Sequence, residues 1–417
     1  MKKLKIGILT YHRSINYGAV TQCYALSKRI QEDFPEDTVE VIDYVPKDRY
    51  DFYKPSITNF IGFNLLKNKR PLLKIKIVGK GLINLFTHPE KFKRIRERYS
   101  SFEKSMDCLP LSSKRYCCES FEEFRNKIYG EYDVIVVGSD CVWEWTTVSF
   151  PNAYYLCGDF GAKKLSYAAS AGTDNCLEMN EKTRESLGKA IDDFYYIGVR
   201  DSATEYNVKN VCPHRTFFHN CDPTTFLKID DLNEYKKKVK QKLEIAGVDF
   251  SKPIVGLMCN DRLGLLAKRI FGHNVQYVGV YQPNNSCDFF FPNLEVLEWA
   301  CVFSFFSLTL TSYFHGTMLS LVNKTPVLSF DYLPETEQQK TKLHELYERL
   351  GLNGFYERGK EEYDDADVLR LREKAYEFID SPPVESITVA LDKEAESYFS
   401  FRESLHELHE GTHKSEQ

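Results

Sequence analysis

Short apolar runs rich in strand-forming residues alternate with longer helical patterns along most of the chain. Strands are predicted at residues 4–10, 38–44, 132–138, 164–170, 195–200, 253–259, 275–281, 306–312 and 325–330. The first of them is followed by a loop through Asn16 and by a helical pattern over residues 17–32. Strands that alternate with helices in this way are typical of parallel α/β proteins. We therefore expect an α/β fold.

The pattern divides into two series of strands. After Asp222-Pro223, a charged helical segment leads into a second and shorter series. The length of 417 residues also favours two domains. We expect an N-terminal α/β lobe over residues 1–225 and a C-terminal α/β lobe over 226–355, facing each other across a cleft. Charged helices should follow over 356–417, with residues 411–417 disordered.

A basic helical insertion of about residues 46–130 interrupts the first lobe. Between residues 67 and 98, eleven basic residues face only Glu90 and Glu97, and many leucines and isoleucines are interleaved with them. Such an amphipathic segment is suited to an anionic membrane face or to a lipid-diphosphate substrate, with peripheral membrane contact through residues 58–98. A solvated helical face is the alternative, and the sequence does not decide between them.

Composition excludes several classes of protein. The net charge of −5 indicates no general affinity for nucleic acid, and 42% hydrophobic with 28% charged residues is ordinary for a globular protein. The twelve cysteines are scattered without a Cys-x-x-Cys pair or zinc-type spacing, so we expect reduced thiols and no metal. The N-terminus has the pattern of a strand rather than a signal peptide, and no membrane-spanning run is present. A cytoplasmic protein is expected.

Polar residues concentrate where predicted strands end. The carboxyl ends of parallel strands share one edge of a sheet, where ligands bind in open α/β proteins. The first such loop contains His12, Arg13, Asn16, Tyr17 and Gly18. Gly18 allows a ligand to approach the backbone, and the free N–H groups of a helix start suit a hydroxyl-rich or anionic group. Taken alone, the segment is only a helix start.

Two further strand ends carry charged residues. Asp140, with Trp143 shortly after it, follows the strand at 132–138. Its carboxylate can accept a proton from a substrate hydroxyl, although an aspartate that caps a helix is commoner. Arg200 ends the strand at 195–200 and offers a planar fork for a carboxylate or phosphate. A structural ion pair is the alternative for Arg200.

The strand at 306–312 ends at Ser312, and His315, Gly316 and Thr317 then open a helical pattern. This arrangement predicts an imidazole at the carboxyl end of a strand and beside a helix N-terminus. Histidine exchanges its proton near neutral pH, so His315 is the leading candidate for chemistry. A capping or core histidine is the structural alternative. Lys342 lies in a basic helix start further along the chain.

Six motifs, in order along the chain, resemble the polysaccharide pyruvyl transferase family. They are Asn16-Tyr17-Gly18-Ala19 with Gln22 and Tyr24-Ala25-Leu26, Val137-Gly138-Ser139-Asp140-Cys141-Val142-Trp143, Ser166-Tyr167-Ala168-Ala169-Ser170, Val199-Arg200-Asp201, Asp222-Pro223-Thr224, and Phe314-His315-Gly316-Thr317 with Asn323-Lys324-Thr325-Pro326. Each motif is moderately specific, and six in register over residues 6 to about 352 are strong evidence. At the position of Cys141 the family typically has glutamine.

The resemblance implies a glycosyltransferase-like fold of two Rossmann-like lobes (GT-B-like), with the acceptor on the N-terminal side and the donor on the C-terminal side. It also implies transfer of the enolpyruvyl unit of phosphoenolpyruvate to a sugar hydroxyl pair of a bacterial surface polysaccharide precursor. A pyruvate ketal forms and phosphate is released, with no cofactor. His315 matches the family histidine proposed as the acid, and Arg200 matches an arginine expected to hold the donor.

The other candidates are assigned by their positions. Asp140 is expected to orient or deprotonate the acceptor hydroxyl. The predicted donor-binding residues are Arg200, Lys342, Ser312, Gly316 and Thr317, and the predicted acceptor-binding residues are His12, Arg13, Asn16, Tyr17, Gly18 and Trp143. The expected partners are phosphoenolpyruvate and a sugar or lipid-linked oligosaccharide.

Two positions depart from the family pattern. Tyr313 stands where some members have an arginine, and Lys342 stands where many have one. Lysine supplies a point charge but not a bidentate grip. Two other functions stay open: a glycosyltransferase of the same fold that uses a nucleotide-sugar, and a glycan-binding protein without catalytic activity.

Overall fold

The structure is a computed structural model that describes residues 3–62, 65–66, 70–282, 284–335 and 340–411. It contains two six-stranded sheets, one in each lobe, and all their strand pairs are parallel. This architecture confirms the predicted α/β fold of two lobes. Disorder was expected over residues 411–417, of which Gly411 is described and 412–417 lie outside the described part of the chain.

The first lobe is built on a sheet of order β2-β1-β5-β6-β7-β8. In chain order its elements are β1 (Lys5–Leu9), α1 (Tyr17–Asp33), β2 (Thr38–Val41), β3 (Tyr44–Pro46), α2 (Lys47–Tyr53), α3 (Ile57–Phe60), α4 (Pro71–Thr87), α5 (Pro89–Lys104), β4 (Tyr116–Cys118), α6 (Phe121–Ile128), β5 (Val134–Val137), β6 (Lys163–Ala169), α7 (Glu181–Asp192), β7 (Tyr196–Val199), α8 (Ser202–Val211) and β8 (Phe218–His219). The predicted insertion at about 46–130 is the segment from α2 to α6.

The second lobe has the sheet order β11-β10-β9-β12-β13-β14. Its elements are α9 (Asn233–Ile245), β9 (Ile254–Met258), α10 (Asp261–Phe271), β10 (Gln276–Gly279), β11 (Phe289–Phe290), α11 (Val296–Val302), β12 (Leu308–Thr311), α12 (Phe314–Val322), β13 (Val327–Asp331), α13 (Lys342–Leu350) and β14 (Tyr356–Arg358), followed by α14 (Asp365–Asp380), α15 (Val384–Ala395) and α16 (Phe399–Glu410). Because β14 pairs with β13, the second sheet extends to Arg358.

The central strands are buried on both faces, as the sequence pattern requires. Every residue of β5, Val-Ile-Val-Val, is buried, and so is every residue of β9 and of β12. Helices cover both faces of such strands, which explains why they are continuous apolar runs rather than alternating ones. The strands therefore form rigid supports, and the polar loops at their carboxyl ends are free to form a site.

The last helices return from the second lobe to the first. Leu371 and Ala375 of α14 are buried in the core of the second lobe. In α16, His409 contacts Asp37 of the first lobe with an Nε2–Oδ2 distance of 2.7 Å. The Tyr195 hydroxyl donates to Glu407 at 2.9 Å. The chain thus passes between the lobes twice, once after β8 and once through α15.

No helix in the described residues is both long enough and apolar enough to cross a lipid bilayer.

Candidate active site

The ends of β1, β5 and β7 meet the end of β12 in the crevice between the lobes. Asparagine and aspartate side chains fix the helices that begin there: Asn16 caps α1, and Asp201 caps α8. On the opposite side, Tyr313 precedes α12, whose first turn carries His315. Three predicted strand ends of the first lobe are therefore brought to the histidine of the second.

His315 lies directly against the backbone of α1. A Cβ atom placed on Gly18 would overlap the imidazole ring of His315, so only glycine fits at this position. The Asn16 side chain accepts hydrogen bonds from the N–H groups of Gly18 and Ala19 at 3.1 and 3.4 Å, and so holds this turn in place. The motif around Asn16 and Gly18 thus forms the wall that faces the histidine.

The surroundings of His315 disfavour its protonated form when no ligand is bound. Its Nδ1 is enclosed and has no hydrogen-bond partner among the described residues. Burial lowers the pKa of His315 below its ordinary value, and the carboxylates of Asp222 and Asp140 oppose this effect. The cations Arg200 and Lys342 lower the pKa further. Because charged groups of both signs act on His315, the charge of a bound anionic ligand would shift its pKa.

Asp140 lies at the end of β5 in a strained backbone conformation. Its φ of +78° is rare for a residue other than glycine, and such conformations often occur at functional sites. The Oδ2 atom of Asp140 accepts a hydrogen bond of 3.4 Å from Asn16, and Oδ1 accepts one of 2.8 Å from the N–H of Cys141. The carboxylate is therefore held at the crevice by the residue that caps α1.

Arg200 forms a buried ion pair with Asp222. Its Nη1 donates to Asp222 Oδ2 at 2.9 Å, and the two residues are 3% and 2% exposed. The guanidinium also lies over the ring of Phe314 from the other lobe, 5.0 Å from its centroid. The Nε of Arg200 has no partner among the described residues. Arg200 thus combines a structural pair with an unused donor.

Lys342 brings a second cation to the crevice from the start of α13. Its Nζ lies 2.9 Å from Cys141 Sγ, and Arg200 Nη2 lies 3.9 Å from the same sulfur. Burial raises the pKa of the Cys141 thiol, although Lys342 and Arg200 act against this effect. Near neutral pH the thiol is therefore uncharged, and it does not neutralise the positive charge of either cation.

These contacts bring six of the predicted site residues together. They are Asn16, Gly18, Asp140, Arg200, His315 and Lys342. The cluster offers an imidazole, a carboxylate and two fixed cations on opposite lobes. Such a set can move a proton and neutralise an anionic ligand. In the described residues no group of histidines, cysteines and carboxylates has the arrangement of a metal site.

His12 and Arg13 belong instead to a buried ionic cluster beside β2. Arg13 donates two hydrogen bonds to Asp43, at 2.7 and 2.6 Å, and His12 Nε2 lies 3.3 Å from the same carboxylate. Arg115 adds a contact of 3.2 Å. His12 is fully buried and Arg13 is 7% exposed. These contacts account for both side chains as structural groups.

Tyr17 and Trp143 are also covered by protein. Tyr17 stacks on Phe102 with ring centroids 5.8 Å apart and meets Trp299 edge-on at 5.6 Å. Trp143 stacks on Tyr155 at 5.7 Å, and its Nε1 donates to a backbone carbonyl. Both rings are less than 5% exposed, so in this structure neither offers a face to a sugar.

The three predicted donor-binding residues around His315 differ in position. A Cβ on Gly316 would overlap Thr311, so this glycine permits the close contact between β12 and α12. Thr317 is buried, and its hydroxyl forms a 2.6 Å hydrogen bond with Ser329. Ser312 is half-buried, and its N–H donates to Met258 at 3.4 Å. Of these three residues, only Ser312 has an accessible side chain beside the crevice.

Asp222 and Phe314 were not among the predicted site residues, although both lie in recognisable motifs. Asp222 precedes Pro223 at a strand end, and its carboxylate acts on both Arg200 and His315. Burial alone would raise the pKa of Asp222, but these two neighbours hold it below its ordinary value. Asp222 could have been predicted from its position after a strand, and Phe314 from its position next to His315.

A cleft of about 920 Å³ lies beside α7, away from the predicted residues. Its lining includes Phe121, Phe150, Lys182 and Lys189, and no predicted site residue is among those that line it. It contains no imidazole and no strand-end motif. The crevice around His315 therefore remains the candidate active site.

The chain is similar to known proteins both in sequence and in fold. The sequence profile of the polysaccharide pyruvyl transferase family matches residues 16–334. Five of the six residues of the cluster lie in this range, and Lys342 lies beyond it. No curated protein sequence matches the chain. Among solved structures, the chain resembles UDP-GlcNAc 2-epimerase from Neisseria meningitidis bound to UDP-GlcNAc, with a TM-score of 0.52, 12% identity, and coverage of 97% of this chain and 100% of that one. It also resembles a UDP-N-acetylglucosamine 2-epimerase with a TM-score of 0.50, 15% identity, and coverage of 100% and 99%. These likenesses show a shared GT-B fold.

Proposed function

The chain belongs to the polysaccharide pyruvyl transferase family, and we propose that it transfers the enolpyruvyl unit of phosphoenolpyruvate to a hydroxyl pair of a sugar. The product is a cyclic pyruvate ketal on a bacterial surface polysaccharide precursor, and phosphate is released. The acceptor in this proposal is a sugar or a lipid-linked oligosaccharide. We place the reaction in the cytoplasm at the inner face of the membrane.

The observation that carries this proposal is that two cations lie in the same crevice as His315 and act on its pKa. Arg200 and Lys342 both act on the charge of the imidazole, and both reach the same sulfur of Cys141 from different lobes. Phosphoenolpyruvate bears a carboxylate and a phosphate, so a site for it needs cations near an acid. Arg200, through its unused Nε, and Lys342 are the proposed ligands of these two anionic groups.

The proposed reaction begins with transfer of a proton from His315 to the methylene carbon of phosphoenolpyruvate. The C2 atom becomes oxocarbenium-like, and one sugar hydroxyl attacks it while losing its proton. The C2–O bond to phosphate then breaks, and the neighbouring hydroxyl adds to C2 and also loses its proton. One hydroxyl proton replaces the proton given by histidine, and the other leaves with the phosphate, so the atoms balance.

The donor itself would prepare the acid for this step. The pKa of His315 lies below its ordinary value because of burial and, to a smaller extent, the two nearby cations. A bound anion with several negative charges would neutralise these cations and favour the imidazolium. The pKa of His315 should therefore rise on donor binding, so that the proton is held when it is needed.

Asp140 is proposed to accept the proton of the attacking hydroxyl. Its carboxylate is oriented by Asn16 and by the N–H of Cys141, and it acts on the charge of His315 across the crevice. A base on the first lobe and an acid on the second would flank the reacting carbon from opposite sides. This division matches the proposed placement of acceptor and donor.

The test is incubation of the protein with phosphoenolpyruvate and candidate glycans, with measurement of released phosphate and of the ketal methyl signal by NMR. His315→Gln should abolish both signals while the circular dichroism spectrum and melting temperature stay close to those of the wild type. Full ketal formation by this variant would remove His315 from the mechanism. Absence of activity in the wild type with every glycan would be uninformative alone, so donor binding is measured separately by calorimetry.

A nucleotide-sugar reaction is the second candidate, because the similar fold in N. meningitidis is described as bound to UDP-GlcNAc. At 12% identity this similarity concerns the fold and not the ligand. A thermal-shift measurement separates the candidates. Stabilisation by phosphoenolpyruvate without stabilisation by UDP supports the pyruvyl transferase, and the reverse result supports the nucleotide-sugar enzyme.

A further inference from the structure

Helix α4 directs its bulky apolar side chains away from the protein. Leu72, Ile75, Ile83 and Phe86 are 83%, 70%, 63% and 81% exposed. We refer to these four residues as the α4 stripe. Large apolar side chains on a globular protein are normally scattered singly, and a contiguous group marks an interaction surface.

The helical period places the α4 stripe on one face. Residues 72, 75, 83 and 86 follow the three-to-four residue spacing of a single helix face, and Gly79 lies among them with open space where a side chain would be. The opposite face packs on the protein: a Cβ on Gly81 would overlap the backbone of Ile61. Because Gly81 packs against the protein, the α4 stripe on the opposite face points toward solvent. Nothing in the described part of the chain covers it.

Cations surround the α4 stripe. Lys76 and Lys80 of α4 lie on the same outward side by helical spacing, and both are exposed. Over residues 70–98 there are nine basic residues and only two acidic ones, Glu90 and Glu97. An apolar helix face flanked by lysines and arginines is complementary to a lipid interface with anionic headgroups.

The helix that follows connects this surface to the crevice. Arg98 of α5 lies over the rings of Tyr17 and Tyr281, 5.7 and 5.0 Å from their centroids, and thus contacts both lobes. Lys104 of α5 forms a 2.6 Å ion pair with Glu295 of the second lobe. Because Tyr17 adjoins Gly18, which touches His315, α5 is anchored beside the candidate active site.

We propose that the α4 stripe inserts into the interface of an anionic lipid bilayer, with the lysines and arginines of α4 and α5 against the headgroups. Such a helix lies in the plane of the membrane surface and does not span it. The anchor at Arg98 then keeps the crevice close to the bilayer. This docking goes beyond the proposed reaction and is tested without donor or acceptor, so that either proposal can fail alone.

The experiment is co-sedimentation of the full chain with vesicles of phosphatidylcholine alone or of phosphatidylcholine mixed with the anionic lipid phosphatidylglycerol. We expect binding to the anionic vesicles and at least about tenfold weaker binding to neutral ones. Raising the salt concentration should weaken the binding. Ile83→Ser/Phe86→Ser and Lys76→Glu/Lys80→Glu should each lower the partition coefficient by about tenfold or more.

Matched controls carry equivalent changes elsewhere on the surface. Ile245 is 87% exposed on α9, and Lys237 and Lys240 lie on the same helix. Ile245→Ser and Lys237→Glu/Lys240→Glu should leave vesicle binding within about twofold of the wild type. Failure of the wild type to bind anionic vesicles, or equal losses in the control variants, would overturn the proposal.

A second copy of the chain is the other possible occupant of the stripe. Sedimentation velocity without lipid separates the two cases. A monomeric wild type that binds anionic vesicles supports membrane docking. A dimer that Ile83→Ser/Phe86→Ser converts to monomer, with no binding to vesicles, would overturn docking in favour of self-association.

Discussion

Gly18 and His315 belong to different lobes, yet the imidazole ring occupies the space in which a side chain of residue 18 would lie. The contact depends on the absence of a single methyl group. It links the first turn of α1 to the first turn of α12. The two turns can approach each other this closely only while residue 18 is glycine. The contact therefore couples the geometry of the site to the approach of the lobes.

Gly18→Ala should lower kcat by about 100-fold, because the added methyl displaces the His315 ring, and displacements of about 1 Å have effects of this size. The melting temperature should change little, since the lobes can separate slightly to relieve the overlap. Gly354→Ala, at a site with open space around it, is the control and should retain full activity. A fully active Gly18→Ala would mean that the ring is not held by this contact during turnover.

Lys342→Met should raise the KM for phosphoenolpyruvate by about 10- to 100-fold, since a hydrogen bond to a charged group contributes about 1.5–3 kcal/mol. Lys340→Met is the matched control: Lys340 pairs with Glu348 on the surface, only two residues away. Initial rates over a range of donor concentrations measure the effect. An unchanged KM in Lys342→Met would place the donor away from this cation.

Arg13→Met should destabilise the protein by about 3–5 kcal/mol, because it leaves the buried carboxylate of Asp43 without its main partner. Urea unfolding monitored by circular dichroism measures the change, with the exposed Lys114→Met as control. The KM for the acceptor should stay within about twofold. A raised acceptor KM without a loss of stability would instead favour the predicted acceptor-binding role of Arg13.

His219 should make the protein less stable in mild acid. Its pKa is lowered from 6.5 to about 4, mainly by burial and secondarily by Arg349. Between these values the unfolded chain takes up a proton that the folded protein does not, so stability is lost as the pH falls from about 6.5 to about 4. The loss from this group is about 3 kcal/mol.

Unfolding at pH 7 and pH 4 of the wild type and of His219→Gln measures this effect. The variant should lose less stability than the wild type over the same range, since its side chain does not titrate. His214→Gln is the control, because His214 is exposed and pairs with Asp192 at the surface. Equal acid losses in the wild type and in His219→Gln would show that His219 is protonated in the folded state.

Much of the fold could be predicted from the sequence, because strands and helix starts are determined by residues that are close together in the chain. Short apolar runs such as Val134–Val137 that are rich in β-branched residues are typical of strands buried on both faces, and Asn16 and Asp201 mark helix starts by chemistry that acts over three residues. The resemblance to a family then placed both series of strands in one architecture. The return of α16 to the first lobe depends on contacts such as His409 with Asp37, which no local pattern encodes.

The site was predictable only in part, for the same reason. Strand-end position brought Asp140, Arg200 and His315 to one crevice, because parallel strands share an edge. It did not distinguish Arg13, whose buried partner Asp43 lies at the end of a different strand. Nor could sequence spacing reveal that Trp143 turns into the core and stacks on Tyr155. Side-chain direction in a loop depends on the tertiary contacts around it.

The chain crosses between the lobes at two places, and these two connections limit how the crevice can change its width. His315 lies against Gly18 of the other lobe, so any change in the distance between the lobes changes the space around the imidazole. Two separate connections prevent one lobe from sliding or twisting freely over the other, and leave rotation about the line that joins them. A rotation of this kind about the segments after β8 and before α16 would change the width of the crevice at the edge where the strands end.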